Sequence, residues 1–277
     1  MAISAQEVNK LRTMTGAGMM DCKKALTEAN GDFEVAIDLL RKKGQKVSAA
    51  RAENVTAEGT VLIHVSDDGK NAKLLSFACE TEPVSKVQSF RDLASSILDV
   101  AVKNNINSKE ELLESKMDDG RTVNENIIDL TGKIGEKLII NEYHNVSGEK
   151  IVSYIHSNGK LGVLVNLKNV GSADVTEVGK DVAMQIAAMR PVAVDKDGVD
   201  PRMIEREIEI GKEQARAEGK PEEMLEKIAL GKLNKFYKES TLLNQEFVKD
   251  NSKTIAKLLD ETSKGLTVAS FVRAQIG

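Results

Sequence analysis

The chain has 277 residues, enough for roughly two domains, and its 41% apolar and 30% charged content fits a soluble protein with a buried core. With 39 basic against 43 acidic side chains, a net charge of -4 and no Trp, it argues against a nucleic-acid binder that works by positive charge or base stacking. Cys22 and Cys79 cannot build a disulfide framework, no apolar run approaches the roughly 20 residues of a membrane span, and the opening MAISAQEVNK has no signal-peptide stretch, so the expected setting is cytoplasmic.

The first 44 residues predict three short helices. Ser4 and Glu7 have capping-box spacing, and Gly16 ends the first helix. The second carries Met20, Ala25, Leu26 and Ala29 and ends at Gly31. Asp32 caps the third, whose stripe is Phe33, Ala36, Ile37 and Leu40, and Gly44 stops it. Helices this short hold only as a mini-bundle. Residues 45–58, small and charged, read as a linker.

A hairpin follows: Val61, Ile63 and Val65, a turn at Asp67-Asp68-Gly69-Lys70, then Leu75, Phe77 and Cys79. Val87, Phe90, Leu93, Ala94, Ile97, Leu98, Ala101 and Val102 predict a strong helix. A weaker helical stretch covers 108–136, and Leu138, Ile139, Ile140 and Tyr143 start a second β region. The pattern then recurs ninety residues on. Val61, Val65, Gly69, Lys70, Leu75 and Phe77 correspond to Ile151, Ile155, Gly159, Lys160, Val165 and Leu167, and Val175, Val178, Val182, Ile186 and Met189 supply the second helix. Two copies of a hairpin-plus-helix unit are expected, each an antiparallel sheet with helices on one face. Asp200-Pro201 and Lys220-Pro221 each open a helix with proline at the first position, giving a helical hairpin over about 200–240 with arms about 25 Å long. A helix at 254–262 and a strand at Leu266–Arg273 close the chain. The expected class is α+β, divided into 1–53 (helical module with linker), 54–140 and 141–277.

Enzyme signatures are sparse. His64, His144 and His156 lack metal-ligand spacing, and Gly16-Ala17-Gly18 follows a helix rather than a strand, so it reads as turn glycines and not as a dinucleotide loop. Cys22 and Cys79 fall on apolar faces as inert thiols. Met19 and Met20, opening a helix after a glycine turn, fit either core filling or an adaptable interface. Cys79-Glu80-Thr81-Glu82-Pro83-Val84 joins a strand to a helix, a common place for groups that act on a partner, and Glu82 and Pro83 equally suit a cap. Lys133-Ile134-Gly135 reads as a helix terminus.

The run LRTMTGAGMMDCKKAL at Leu11–Leu26, followed by TEANGDFEVAIDLLRKKG, closely resembles the opening of the bacterial translation elongation factor Ts family, and the resemblance continues through CETEPVSK, KIGEKLII, SYIHSNGKLGVLV and SFVRAQIG. It implies a guanine-nucleotide exchange factor for the GTPase elongation factor Tu, without covalent chemistry, cofactor, direct nucleic-acid contact or membrane. It also implies a helical module like ubiquitin-associated domains, two related subdomains and a coiled-coil hairpin, and the added C-terminal segment of some members is not expected. By the same resemblance Arg12, Met19, Met20 and Lys23 dock on the nucleotide domain of the GTPase. Ile134 and Gly135 add a contact from the first subdomain, and His156, Lys180 and Val248 grip a further domain. Thr81, Glu82, Pro83 and Val84 stand where the family has Thr-Asp-Phe-Val, credited with dislodging Mg²⁺ from the phosphate site. Glu82 keeps the charge with a longer reach, while Pro83 cannot supply the aromatic wedge. Asp181 stands where another basic residue is expected after Lys180. A second reading follows from Pro83: a stabiliser or holdase that binds the same GTPase and exchanges weakly.

Overall fold

The structure, a computed structural model, describes residues 3–277; the first two residues of the expected helical module lie outside them. α1 (Ala5–Thr15), α2 (Met19–Glu28) and α3 (Phe33–Ala50) form the N-terminal bundle around Leu11, Cys22, Leu26 and Ala36. Ser4 and Glu7 make the reciprocal capping box, Gly16 ends α1 in the left-handed region (φ 69°), and Asp32 caps α3 by accepting from the amides of Glu34 and Val35.

Gly44 does not stop α3. The helix runs on to Ala50, so most of the expected linker is helical and only residues 51–57, ahead of the first strand, are irregular. The reason is a packing requirement. Gly44 lies against Gly132 of α7 (Val123–Ile134), and a Cβ on Gly132 would come within 2.5 Å of the Gly44 Cα. Glycine here permits a close helix crossing rather than a helix end, at a propensity cost of about 1 kcal/mol.

β1 (Glu58–Val65) and β2 (Asn71–Cys79) form the first hairpin. α4 (Glu82–Ser85), α5 (Gln88–Lys103), α6 (Lys109–Glu114) and α7 follow, and the expected stretch at 108–136 resolves into α6 and α7. β3 (Leu138–Ser147) returns antiparallel to β2 and completes the order β1-β2-β3. Leu138–Tyr143 therefore belong to the first sheet and do not open a second β region. Their strand runs past residue 140 because its apolar side, Leu138, Ile140 and Tyr143, is needed against α5 and α7.

The second half repeats this plan. β4 (Lys150–Ile155), β5 (Leu161–Lys168) and α8 (Thr176–Met189) are followed by the helical hairpin α9 (Pro201–Ala217) and α10 (Glu222–Ser240). A small β6–β7 ribbon (Glu246–Phe247, Asp250–Thr254), α11 (Ile255–Thr262) and β8 (Thr267–Gln275) complete it, with sheet order β4-β5-β8. Pro201 is the first residue of α9 as expected, whereas Pro221 is the N-cap just before α10.

The ninety-residue correspondence is visible in backbone bonds. The Val61 amide donates to the Gly159 carbonyl (2.8 Å), and the Ile151 amide donates to that of Gly69 (2.6 Å). Each hairpin turn thus satisfies the first strand of the other copy. Within each copy the residue after the third strand ties back to that copy's own turn in the same way, the Gly148 amide donating to Lys70 O and the Ile276 amide to Lys160 O. The middle strands bulge at matching places, between Ser76 and Phe77 and between Asn166 and Leu167.

One face of each sheet packs on helices and the other on its twin. Phe77 stacks on Phe90 of α5 at 4.8 Å in the first core, and Val163, Val165 and Leu167 meet Val178, Val182 and Ile186 of α8 in the second. Between the sheets Val61, Leu74 and Ala78 face Ile151, Leu164 and Ala274. β2, covered on both sides, is accordingly buried from Ala72 to Cys79. Among the described residues no helix is long and apolar enough to cross a membrane.

Candidate functional site

The turn between α1 and α2 is fixed from below. The Gly16 amide donates to Arg12 O (2.7 Å), Ala17 is buried, and the Cys22 thiol lies 3.7 Å from Ala17 O. This starts α2 with Met19 and Met20 facing outward, 55% and 73% exposed, beside Met14 at 58%. Met20 is therefore not part of the apolar stripe that α2 buries. At helical spacing it shares its face with Lys23, which is also exposed, while Cys22, Ala25 and Leu26 face the core. Arg12 is exposed on the last turn of α1.

The segment after β2 is clasped from two sides. The Glu80 carboxylate accepts from both Arg51 (2.9 Å to each oxygen) and Asn54 (2.9 Å), and from the Lys137 amide (2.6 Å). The Lys137 ammonium donates to Ala52 O and Asn54 O. Partial burial works against the Glu80 charge, but the Lys137 amide, Asn54 and Arg51 outweigh it and hold its pKa below the usual range. Next to it, Glu136 accepts from the Thr81 amide (3.0 Å) and hydroxyl (2.7 Å).

These bonds bring Thr81–Val84 and Ile134–Gly135 together. Gly135, at φ 84°, ends α7, and the next two residues supply the clasp. Lys133 runs beside Gly16, so the α1–α2 turn borders the same patch. Within α4, Val84 is buried under the first core, Pro83 is exposed, and Glu82 pairs with Lys86 at 2.6 Å on the surface. Cys79 beneath is inert: burial, with Glu136 and Glu58 nearby, pushes its thiol up to about 12.

His156 and Val248 border one opening in the second repeat. Both line a cavity of about 510 Å³ between β4, β8 and the end of α8. Tyr154 shares a hydrogen bond with His156 Nδ1 (2.9 Å) and fixes the ring. Val248, half exposed, tops the β6–β7 turn, and the buried Gln185 of α8 accepts from its amide (2.9 Å) while donating to Glu246 O (3.0 Å) and Gln245 Oε1 (3.2 Å). Lys180 is exposed but lies outside this cavity. Its neighbour Asp181 is bonded to Lys249 at 2.7 Å, so the acidic residue at that place ties the β6–β7 turn to α8. The β4–β5 turn is shared: Asn158 and Lys160 border this cavity and also a cleft of about 750 Å³ that contains Glu82, Lys86 and Arg91.

Sequence reasoning missed Glu80, Glu136, Lys137 and Gln185. Glu80 was signalled by a charge directly after the apolar end Phe77-Ala78-Cys79 of a strand, and Gln185 by a lone amide inside the stripe AMQIAAM. Arg190 and Arg273, which also wall the cavity, gave no sequence signal.

Fold and surface define a duplicated α+β scaffold with a helical N-terminal bundle and two exposed patches. A family model described as Elongation factor TS matches residues 80–277. Elongation factor Ts of Cytophaga hutchinsonii is 70% identical, covering 99% of this chain and 99% of its own. Elongation factor Ts of Amoebophilus asiaticus is 51% identical over the whole of both chains, and that of Clostridium botulinum 44%, covering 99% of this chain and 92% of its own. The chain belongs to the elongation factor Ts family and is a translation elongation factor.

Proposed function

We propose that this chain is the guanine-nucleotide exchange factor of the GTPase elongation factor Tu, gripping it at both patches and distorting its phosphate and Mg²⁺ site. The observation that carries the reading is the exposed thioether group Met14, Met19 and Met20, uncovered apolar surface where family resemblance puts the docking residues. Arg12, Met19, Met20 and Lys23 dock on the nucleotide domain together with Ile134 and Gly135; His156, Lys180 and Val248 hold a second domain. Thr81–Val84 lie beside the first patch and reach the Mg²⁺ site.

The chemistry is a matter of linkage. A GTPase holds GDP through backbone amides and Mg²⁺. A factor that prefers the empty form weakens nucleotide by the factor by which nucleotide weakens it, and each 1.4 kcal/mol of coupling is about tenfold. No bond is made or broken. The Glu80 clasp supports this role by giving the segment a rigid base to push from. Release of a fluorescent GDP from loaded elongation factor Tu tests it. Strong acceleration is expected, and an unchanged rate at saturating protein overturns the reading.

A second reading, a binding-only stabiliser, is favoured by one observation: Pro83 is exposed without an aromatic ring, and the Glu82 carboxylate is already paired with Lys86. A large gain in exchange on Pro83→Phe supports this second reading.

A further inference from the structure

We propose that the cavity between β4, β8 and the end of α8 receives an acidic side chain, the carboxylate of an Asp or Glu on the protein partner, between Arg190 and Arg273. This rests on the docking reading above and names the chemistry of its second patch.

The cavity lining carries Lys160, Arg190, Lys249 and Arg273 as well as His156, and no carboxylate. Two of the cations are already balanced, Lys160 by Glu58 (2.6 Å) and Lys249 by Asp181 (2.7 Å). The two arginines are not. Among the described residues Arg190 has no ion pair or side-chain hydrogen bond. Arg273 donates only to neutral oxygens, Gln275 Oε1 (2.6 Å) and Ala187 O (3.3 Å). Glu142 of β3 acts on Arg273 only through its field and is itself bonded to His144 (3.0 Å). Arg190 and Arg273 line the same opening, and partial burial and then the charge of Arg190 press the Arg273 pKa down, against the field of Glu142.

The placement of Arg190 is built in. It caps α8 in the left-handed region at φ 49°, a conformation that residues other than glycine adopt rarely. That turn carries the chain out of α8 beside the cavity. A planar fork suits a carboxylate, and two forks around one opening suit a carboxylate better than a single ammonium would. The rest of the lining is partly apolar, with Leu161, Met184, Ala187 and Val248, which suits a protein segment with an apolar flank over a bare ion. His156 and Val248 line the same cavity, so the acceptor is continuous with the proposed docking patch.

The test has two arms, both on the full chain. In the first, calorimetry measures binding to nucleotide-free elongation factor Tu at low and high salt for wild type, Arg190→Gln and Arg273→Gln. Each Gln variant is expected to bind about tenfold or more weakly and to lose part of the salt dependence. Arg190→Lys and Arg273→Lys guard against a folding defect; they keep the charge and lose the fork, so intermediate affinity is expected. Gln variants that bind like wild type overturn the proposal while the docking reading stands.

In the second arm, an N-acetyl triglutamate amide is titrated into chain labelled at the arginine Nε, with inorganic phosphate as comparison. Shifts at Arg190 and Arg273 with the peptide, at lower concentration than with phosphate, support the proposal. No shift, or a preference for phosphate, overturns it. If wild type does not bind elongation factor Tu yet the peptide shifts both resonances, the docking reading fails and the carboxylate preference of the cavity is upheld.

Discussion

Gly44 and Gly132 meet backbone to backbone, and this contact seats the helical bundle on the first repeat. A methyl on Gly132 would lie 2.5 Å from the Gly44 Cα, and one on Gly44 would lie 3.2 Å from the Ile128 carbonyl. Gly132→Ala is expected to lever α3 from α7. The overpacking cost of about 1–3 kcal/mol exceeds the roughly 1 kcal/mol of helix propensity that alanine returns. Thermal melting and protease cutting between residues 51 and 57 measure it: a lower Tm and faster cutting are expected, with a smaller effect for Gly44→Ala.

Glu80 makes the same junction depend on pH. Its folded-state pKa is lowered, so its contribution is complete above the ordinary value of 4.5 and is lost as pH falls through the folded-state value. Glu80→Gln is expected to cost about 2 kcal/mol near neutrality, mostly through the Lys137 amide and Asn54, since Arg51 is 37% exposed and screened. Melting curves against pH should show the gap between wild type and variant closing below 4.5.

Gln185→Leu would leave the Val248 amide without its acceptor and take a donor from Gln245 Oε1 and Glu246 O. A loss of about 1–3 kcal/mol is expected, concentrated in the β6–β7 ribbon. Hydrogen exchange should speed at Val248 with little change in the first sheet.

Met20→Ala separates docking from folding. At 73% exposure the side chain contributes little to stability, so the free energy of unfolding should hold within about 0.5 kcal/mol. Affinity for elongation factor Tu, read by calorimetry, should fall severalfold.

Much of the fold was legible. Capping at Ser4–Glu7, glycine at the end of α1, both hairpin turns and the ninety-residue repeat are local or periodic signals, and each lies where it was read. What escaped depended on partners distant in sequence. Gly44 looks like a stop until Gly132 is beside it, and Leu138–Tyr143 look like a beginning because only pairing with β2 assigns them to the first sheet. At the site, the exposed residues could be named from resemblance to a family. The roles of the groups that fix them, Glu80 and Glu136 at Thr81 and Gln185 under Val248, could not, because they rest on bonds between residues distant in sequence.

The reciprocal bonds of the two hairpins bear on the long arms α9 and α10. Third strands pair alike in both copies, Phe77 with Ile140 and Leu167 with Val268, yet Ile140 and Val268 are 128 positions apart where the hairpins are ninety apart. The surplus is nearly the length of the arms. The chain leaves and rejoins the core at one seam, where the Val192 amide donates to Ser240 O and the Leu242 amide to Ala193 O. Insertion and deletion can therefore lengthen, trim or remove the arms across generations without unpicking a single strand, leaving this appendage free to diverge at its own pace.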